Sequence, residues 1–299
     1  MARVIEVKSI LNRHRKRDDW FLDDYSINPY YGCSFNCIYC YIRGSKYGEN
    51  MEKTLSAKIN APQLLERQLG RRAERGEYGI ILISSSTDAY QPIEEELELT
   101  RKLLEIVLKY RFPVHIVTKS PLVLRDLDIL KEIDRSAILP RDLRGRLKGG
   151  VIISFSISTL DERMAGIFEP GAPEPQERLE AMRKCRERGF FTGINFIPVL
   201  PYLSDSDEEL DRMIKTAKDY GADFVLVGAL TLFGKGPSDC RTLYYKVLEK
   251  YYPHLVPKYR SLFRIFPVPS KEYRKSLEER AEKICRKYGI NCRIAAGEG

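Results

Sequence analysis

Short, almost uniformly apolar runs alternate along this chain with stretches whose apolar residues recur at helical spacing, and no other feature limits the fold as much. Residues 79–84 (Gly79-Ile80-Ile81-Leu82-Ile83-Ser84) read as a buried strand. Residues 93–111 follow with Leu97, Leu103, Leu104, Val107 and Leu108 on one helical face. The pair then repeats. A strand is expected over 113–118 and a helix over 122–134, then a strand over 151–158 and a helix over 175–188 that Gly189 stops. A strand over 192–200, a helix over 206–220 stopped by Gly221, and a strand over 223–232 complete the series. An opening unit near Ile27, with its helix over 64–75, brings the total to six. Strands joined through helices run parallel, and strands apolar along their whole length are covered on both faces. The expected fold class is therefore α/β, a partial (β/α)6 barrel like a TIM barrel. A flat doubly wound sheet is the alternative, and no G-x-G-x-x-G turn supports it.

Composition allows a large core. Of 299 residues, 43% are hydrophobic and 31% charged, which excludes a disordered chain. Lys and Arg number 50 against 42 Asp and Glu, a net charge of +8. That balance is compatible with a nucleic acid or another phosphate-bearing partner, but the charge is dispersed, as on an ordinary solvated surface. No apolar run is long enough to span a bilayer, and Met1-Ala2-Arg3-Val4-Ile5-Glu6 lacks the core of a secretion signal, so no membrane is expected. Seven cysteines, three of them within eight residues, suit free thiols and metal ligands in a reducing cytoplasm better than a disulfide framework.

Three regions are expected. Residues 1–25 form a basic arm containing Arg13-His14-Arg15-Lys16-Arg17, residues 26–233 a core, and residues 234–299 an extension packed on it, rich in aromatics and ending in a helix over 271–288. Cys185, Cys240, Cys285 and Cys292 are expected to pack in cores, since Cys285 shares the apolar side of its helix with Leu277 and Ile284. The insert 135–148, with Arg141, Arg144, Arg146 and Lys148, is expected as a solvated loop at the N-terminal end of the barrel.

The chemistry concentrates in Cys33-Ser34-Phe35-Asn36-Cys37-Ile38-Tyr39-Cys40, after the turn-forming Asn28-Pro29-Tyr30-Tyr31-Gly32. Three thiolates on one short loop can each take a corner of a cubane cluster, which takes four cysteines when fully ligated. With three, one iron keeps an open position, as catalytic metal sites do. Structural zinc would ask for a second C-x2-C pair or neighbouring histidines, yet His14, His115 and His254 are scattered.

The C-x3-C-x-aromatic-C spacing, with Tyr39 in the aromatic slot, resembles the radical S-adenosylmethionine (SAM) superfamily. Asn28-Pro29-Tyr30-Tyr31-Gly32-Cys33 and Cys37-Ile38-Tyr39-Cys40-Tyr41 are similar to its spore photoproduct lyase-like branch. So are Thr87-Asp88-Ala89-Tyr90-Gln91-Pro92-Ile93-Glu94, Thr118-Lys119-Ser120-Pro121 with Arg125-Asp126, and Glu169-Pro170-Gly171-Ala172-Pro173. The resemblance spans 27 to about 200. It implies a [4Fe–4S] cluster on Cys33, Cys37 and Cys40 whose open iron chelates S-adenosyl-L-methionine. One electron would then cleave the sulfonium bond to give a 5′-deoxyadenosyl radical that abstracts a hydrogen atom. It also implies a low-potential electron donor, ferredoxin-like or flavodoxin-like.

For cofactor contacts the resemblance points to Thr87 and the adjacent Asp88 near the SAM amine and carboxylate, Lys119 at the methionyl carboxylate, and Ser156 at the ribose or carboxylate. Ser154 and Ser158 are the register alternatives to Ser156, and Tyr39 with Tyr41 flanks the cluster. Asn195, mid-strand between Ile194 and Phe196, needs a polar partner in the cofactor or a neighbouring strand. The spore lyase has a hydrogen-donating cysteine two residues before Thr87, where this chain has Ser85. Repair of the spore photoproduct is therefore not implied, and the substrate is left open, with nucleic acid one option. The competing class is a nucleic-acid-binding protein with a structural cluster or zinc.

Overall fold

The computed structural model describes residues 3–45 and 55–295. Six parallel strands form its spine: β1 (Tyr25–Ile27), β2 (Ile81–Ile83), β3 (Val114–Thr118), β4 (Val151–Ser156), β5 (Phe191–Val199) and β6 (Phe224–Ala229). They lie side by side in chain order, each paired with the next. At one edge Asn12–Arg13 pairs antiparallel with β1, and at the other Asn291 bridges to Phe224. The two edges do not meet among the described residues, so the barrel is partial.

Helices α1 (Ala61–Glu74), α2 (Leu99–Tyr110), α3 (Leu127–Ser136), α4 (Pro175–Glu187) and α5 (Asp207–Asp219) follow successive strands. Two differ from the sequence pattern. The helix expected over 93–111 is broken, because Glu98 adopts a left-handed conformation (φ 48°) after a single turn, Glu94–Leu97. Glu94 explains the break: its buried carboxylate accepts the Thr100 N–H at 2.9 Å, satisfying an amide that the start of α2 leaves without an intrahelical partner. Ahead of α3, Pro121–Asp126 forms a 3₁₀ turn that opens with the Ser120 side chain accepting from Leu122 N.

Past β6 the chain forms Cys240–Tyr251 and Val256–Leu262, which pack with Phe168, Leu200, Leu230, Leu232 and Tyr39 into a cluster above the strand C-termini. It then returns as α6 (Lys271–Tyr288) against α5 and β6, burying Leu277, Ala281 and Cys285 in the main core. Cys185 and Cys240 are buried free thiols, as expected. Cys285 is buried but not merely packed, since a disulfide joins it to Cys292.

The N-terminal end of the barrel also departs from the expected solvated loop. Leu143 and Leu147 of the insert are buried with Leu22, Ile80, Ile152, Phe224, Leu226, Ile294 and Ala295, while Arg141, Arg144, Arg146 and Lys148 are exposed. Apolar residues at the strand N-termini need cover, and burying each leucine contributes about 1.5–3 kcal/mol. Among the described residues, no helix is long and apolar enough to cross a membrane.

Candidate active site

The cysteine loop leaves β1 at its C-terminal end and is clamped from two sides. Asn28 ties its start to the segment after β2, donating from Nδ2 to Ser85 Oγ and accepting at Oδ1 from Ser86 N, both at 2.8 Å. Gln91, fully buried, accepts from Ser34 N at 2.9 Å and donates to Gly32 O at 3.4 Å. From the opposite side Ile38 N donates to Phe168 O at 2.8 Å and Gly171 N to Phe35 O at 3.0 Å. A Cβ at Gly171 would stand 2.3 Å from Ser34 O, so only glycine allows this approach. The segments 87–94 and 169–173 therefore serve largely to hold the cysteine loop.

Beyond the clamp lies a cavity of about 480 Å³ at the strand C-termini. The three cysteines and the six cofactor contacts named first line it, Cys33, Cys37, Cys40, Tyr39, Tyr41, Thr87, Asp88, Lys119 and Ser156, and so does Asn195. Their surroundings differ. Asp88 is buried and saturated, accepting from Thr118 Oγ1 and Lys119 N at 2.8 Å and from Tyr90 N at 2.9 Å, so it straps the ends of β2 and β3 together. Thr87 Oγ1 is buried with no partner, and so is Asn195 Oδ1, on a residue that lines the same cavity. Of the register alternatives, Ser154 bonds inside the barrel and Ser158 Oγ meets the Tyr39 hydroxyl at 2.9 Å.

A buried charge network stiffens the floor. Tyr39 donates to Glu169, whose other oxygen is 2.5 Å from Arg178. Arg178 also donates to Pro173 O and Ser156 O, at 2.8 and 2.9 Å. Burial works against the Glu169 carboxylate, but Arg178 and Lys119 outweigh it and hold its pKa below the ordinary value. Burial likewise opposes the Lys119 charge, and neighbouring acidic groups, Glu169 and Asp88 among them, outweigh it, so Lys119 stays a cation. Its Nζ stands 5.8 Å over the Tyr39 ring. Burial pushes the Cys33 thiol up to about 12 and Cys37 further in the same direction.

The basic arm contributes what sequence reasoning missed. His14, Asp18, Phe21 and Asp23 all line the cavity. Asp23, pushed up to about 6 by burial against the opposing pull of His14, pairs with His14 Nδ1 at 3.0 Å. The run Asp18-Asp19 and Asp23-Asp24 around an aromatic pair was the available signal, hidden by the neighbouring arginines.

Whether a cluster fits rests on the donor set. Among the described residues, no three Cys, His, Asp or Glu side chains converge closely enough to hold a metal ion. The three thiols nonetheless share one loop and one cavity, and Cys33 and Cys37, whose thiols are pushed up, stay protonated unless a cation takes the proton's place. Thr87 Oγ1 and Asn195 Oδ1 add two buried polar atoms that lack partners, a cost that a polar ligand would remove. The residues fit a metal-bound polar cofactor.

Comparison with known proteins agrees. The family model of the radical SAM superfamily matches residues 27–217. An uncharacterized protein of Mycobacterium tuberculosis is 30% identical over 272 residues, covering 89% of this chain and 75% of its own length. A radical SAM Nα-GlyT isomerase of Pseudomonas phage M6 is 23% identical over 182 residues, 60% of this chain and 34% of the isomerase. Among solved structures, a mutant of spore photoproduct lyase superposes with a TM-score of 0.67 at 18% identity, covering 93% of this chain and 78% of that one. Spore photoproduct lyase complexed with dinucleoside spore photoproduct gives 0.65 at 17% identity, over 95% of this chain and 78% of that one. At such identities the likeness shows the fold alone.

Proposed function

This chain belongs to the radical SAM superfamily and is an enzyme of that type, and on that premise we propose that Cys33, Cys37 and Cys40 hold a [4Fe–4S] cluster with one open iron beside a bound S-adenosylmethionine. When bound, this pair supplies one-electron cleavage of a sulfonium C–S bond and abstraction of a hydrogen atom from substrate. The chain's own residues bind, orient and exclude water. Lys119, cationic and half-buried, meets a carboxylate, and its charge counts for more in a low dielectric than it would at the surface. Thr87 Oγ1 takes a polar group of the same end of the cofactor, and Ser156 a hydroxyl or carboxylate. Asp88 keeps Lys119 in place through the backbone. Tyr39 and Tyr41 wall the cavity, and the Tyr41 hydroxyl closes it against Ser85 O at 2.5 Å.

The substrate reading is a nucleic acid. It draws on the net charge of +8 and on the solved neighbour complexed with a dinucleoside. Repair of spore photoproduct is not part of this reading, because Ser85 stands where the resembling lyase has a hydrogen-donating thiol, and an O–H bond is too strong to replace it. Electrons come from a low-potential ferredoxin-like or flavodoxin-like donor in the cytoplasm.

The observation that supports the reading most is the meeting of three cysteines, a cation and two unpartnered buried polar atoms in one cavity at the strand C-termini. Anaerobically reconstituted protein given dithionite and SAM should release 5′-deoxyadenosine, and Cys37→Ala should abolish the release. Bound metal without any turnover would instead support a structural site in a nucleic-acid-binding protein.

A further inference from the structure

Positive charge that is dispersed along most of the sequence is concentrated in one stretch of the C-terminal extension. Residues 250–271 carry Lys250, Lys258, Arg260, Arg264 and Lys271, all exposed, and no Asp or Glu. Surface cations on α2, α4 and α5, such as Lys109, Arg183 and Lys215, each have a carboxylate partner. Of the five in this stretch, only Arg260 is ion-paired among the described residues, to Glu249 at 3.9 Å. Cations left unneutralised side by side suit a polyanion.

The same stretch exposes apolar surface. Ile265 and Phe266 are the two most exposed large apolar side chains among the described residues, at 68% and 66%. They form the apex of a loop anchored on both sides. Phe263 is buried beside Tyr259 and its carbonyl accepts from Arg241 Nη2 at 2.8 Å, while Pro267 O accepts from Leu232 N at 2.7 Å. The pair is therefore held outward. Leu232 follows Thr231, which lines the cavity, so the apex stands at the rim over the end of β6. Over the end of β5, the exposed Tyr202 ring carries Lys258 Nζ at 5.3 Å from its centroid. Apolar faces alternate with cations along one side of the cavity mouth.

We propose that this side of the mouth is a docking surface for a single-stranded nucleic acid, with Phe266 stacking an unpaired base and Lys258 and Arg264 holding phosphates on either side of it. The inference rests on the nucleic-acid reading of the substrate. Rings and aliphatic side chains offer faces to bases of any sequence, and spaced cations follow the backbone. A single strand is specified by the size of the site. A cavity of about 480 Å³ that also holds the cofactor admits one base and no paired helix, so the reacting base must be unstacked before it enters.

The test is fluorescence anisotropy of labelled DNA and RNA strands of about 12 nucleotides, and of the matching DNA duplex, titrated with the reconstituted protein. The unaltered protein should bind a single strand more tightly than the duplex, and the preference between DNA and RNA identifies the source. Phe266→Ala should weaken single-strand binding about 10-fold, the effect of one lost stacking contact, and Phe266→Trp should retain it. Lys258→Gln and Arg264→Gln should each reduce the slope of log affinity against log salt by about 0.7. Lys215→Gln, the same change of charge on α5, should leave that slope as it is. All four side chains are exposed, so the thermal midpoint should hold in every variant. Equal or tighter binding of the duplex, or single-strand affinity unchanged in Phe266→Ala, would overturn the inference and leave the substrate reading standing. So would a Lys215→Gln effect as large as that of Lys258→Gln. Slower electron delivery from an acidic ferredoxin, or lost binding to anionic phospholipid vesicles, with oligonucleotide affinity unchanged, would give the surface to that partner and overturn the inference as well. Failure of the unaltered protein to bind any oligonucleotide would overturn the nucleic-acid reading itself.

Discussion

Arg178→Leu should destabilise the protein out of proportion to its distance from solvent, and the deficit should depend on pH in a particular direction. Arg178 and Glu169 are both almost fully buried, and the guanidinium serves Glu169 at 2.5 Å, Pro173 O at 2.8 Å and Ser156 O at 2.9 Å. Leucine fills part of the volume and leaves a carboxylate and two carbonyls without their donor. Removing one member of a buried ion pair typically costs about 3–5 kcal/mol, because the survivor remains as an uncompensated charge. We expect about 4 kcal/mol, or roughly 8 °C in the thermal midpoint at about 2 °C per kcal/mol. In the intact protein the Glu169 pKa is depressed in the folded state, so its stabilisation is present above the unfolded value near 4.5 and fades as pH falls through the lower folded one. Without Arg178, burial is the largest influence left and pushes the carboxyl up, with Lys119 opposing it in part. The deficit should then be greatest near neutral pH and shrink as the pH falls and Glu169 takes up a proton. Urea unfolding of the metal-free protein, followed by circular dichroism between pH 5 and 8, measures it. Adding Glu169→Gln should recover part of the loss by removing the stranded charge. A deficit below about 1 kcal/mol, one indifferent to pH, or a double variant worse than Arg178→Leu would refute a charge-paired floor.

Gly171→Val places a side chain where even a Cβ would stand 2.3 Å from Ser34 O, so the cysteine loop must shift. Reconstituted iron content should fall several-fold while the far-ultraviolet dichroism is unchanged; full iron loading would show that the close approach is dispensable. His115→Gln should flatten the acid side of the stability profile. His115 is held neutral in the fold with its pKa pushed down to about 4, so the unfolded chain takes its proton first. Stability is therefore present above about 6.5 and lost as pH falls toward 4, by on the order of 3 kcal/mol, and urea midpoints that decline equally in the variant would count against it.

What could be read along the chain is what obeys short-range rules. Six parallel strands follow from apolar runs alternating with 3.6-residue periodicity, and the three-cysteine loop follows from its spacing, because both patterns fit within a dozen residues. Contacts between distant segments could not be read that way. Gln91 and Gly171 lie far from the cysteines in sequence, yet they clamp the loop that carries them, and Asp88 proved to be a strap between strands. The break at Glu98 needed the buried carboxylate of Glu94 to reach Thr100. The His14–Asp23 pair became part of the cavity only when the arm paired with β1, and Cys285 met Cys292 only after the αL turn at Gly289 reversed the chain. Local order sets which elements form, since propensity and periodicity act over a few residues. Which side chains share a cavity, and which of their polar atoms remain unsatisfied there, is decided by the curling of the sheet into a partial barrel, because burial and hydrogen-bond polarity are properties of the assembled interior.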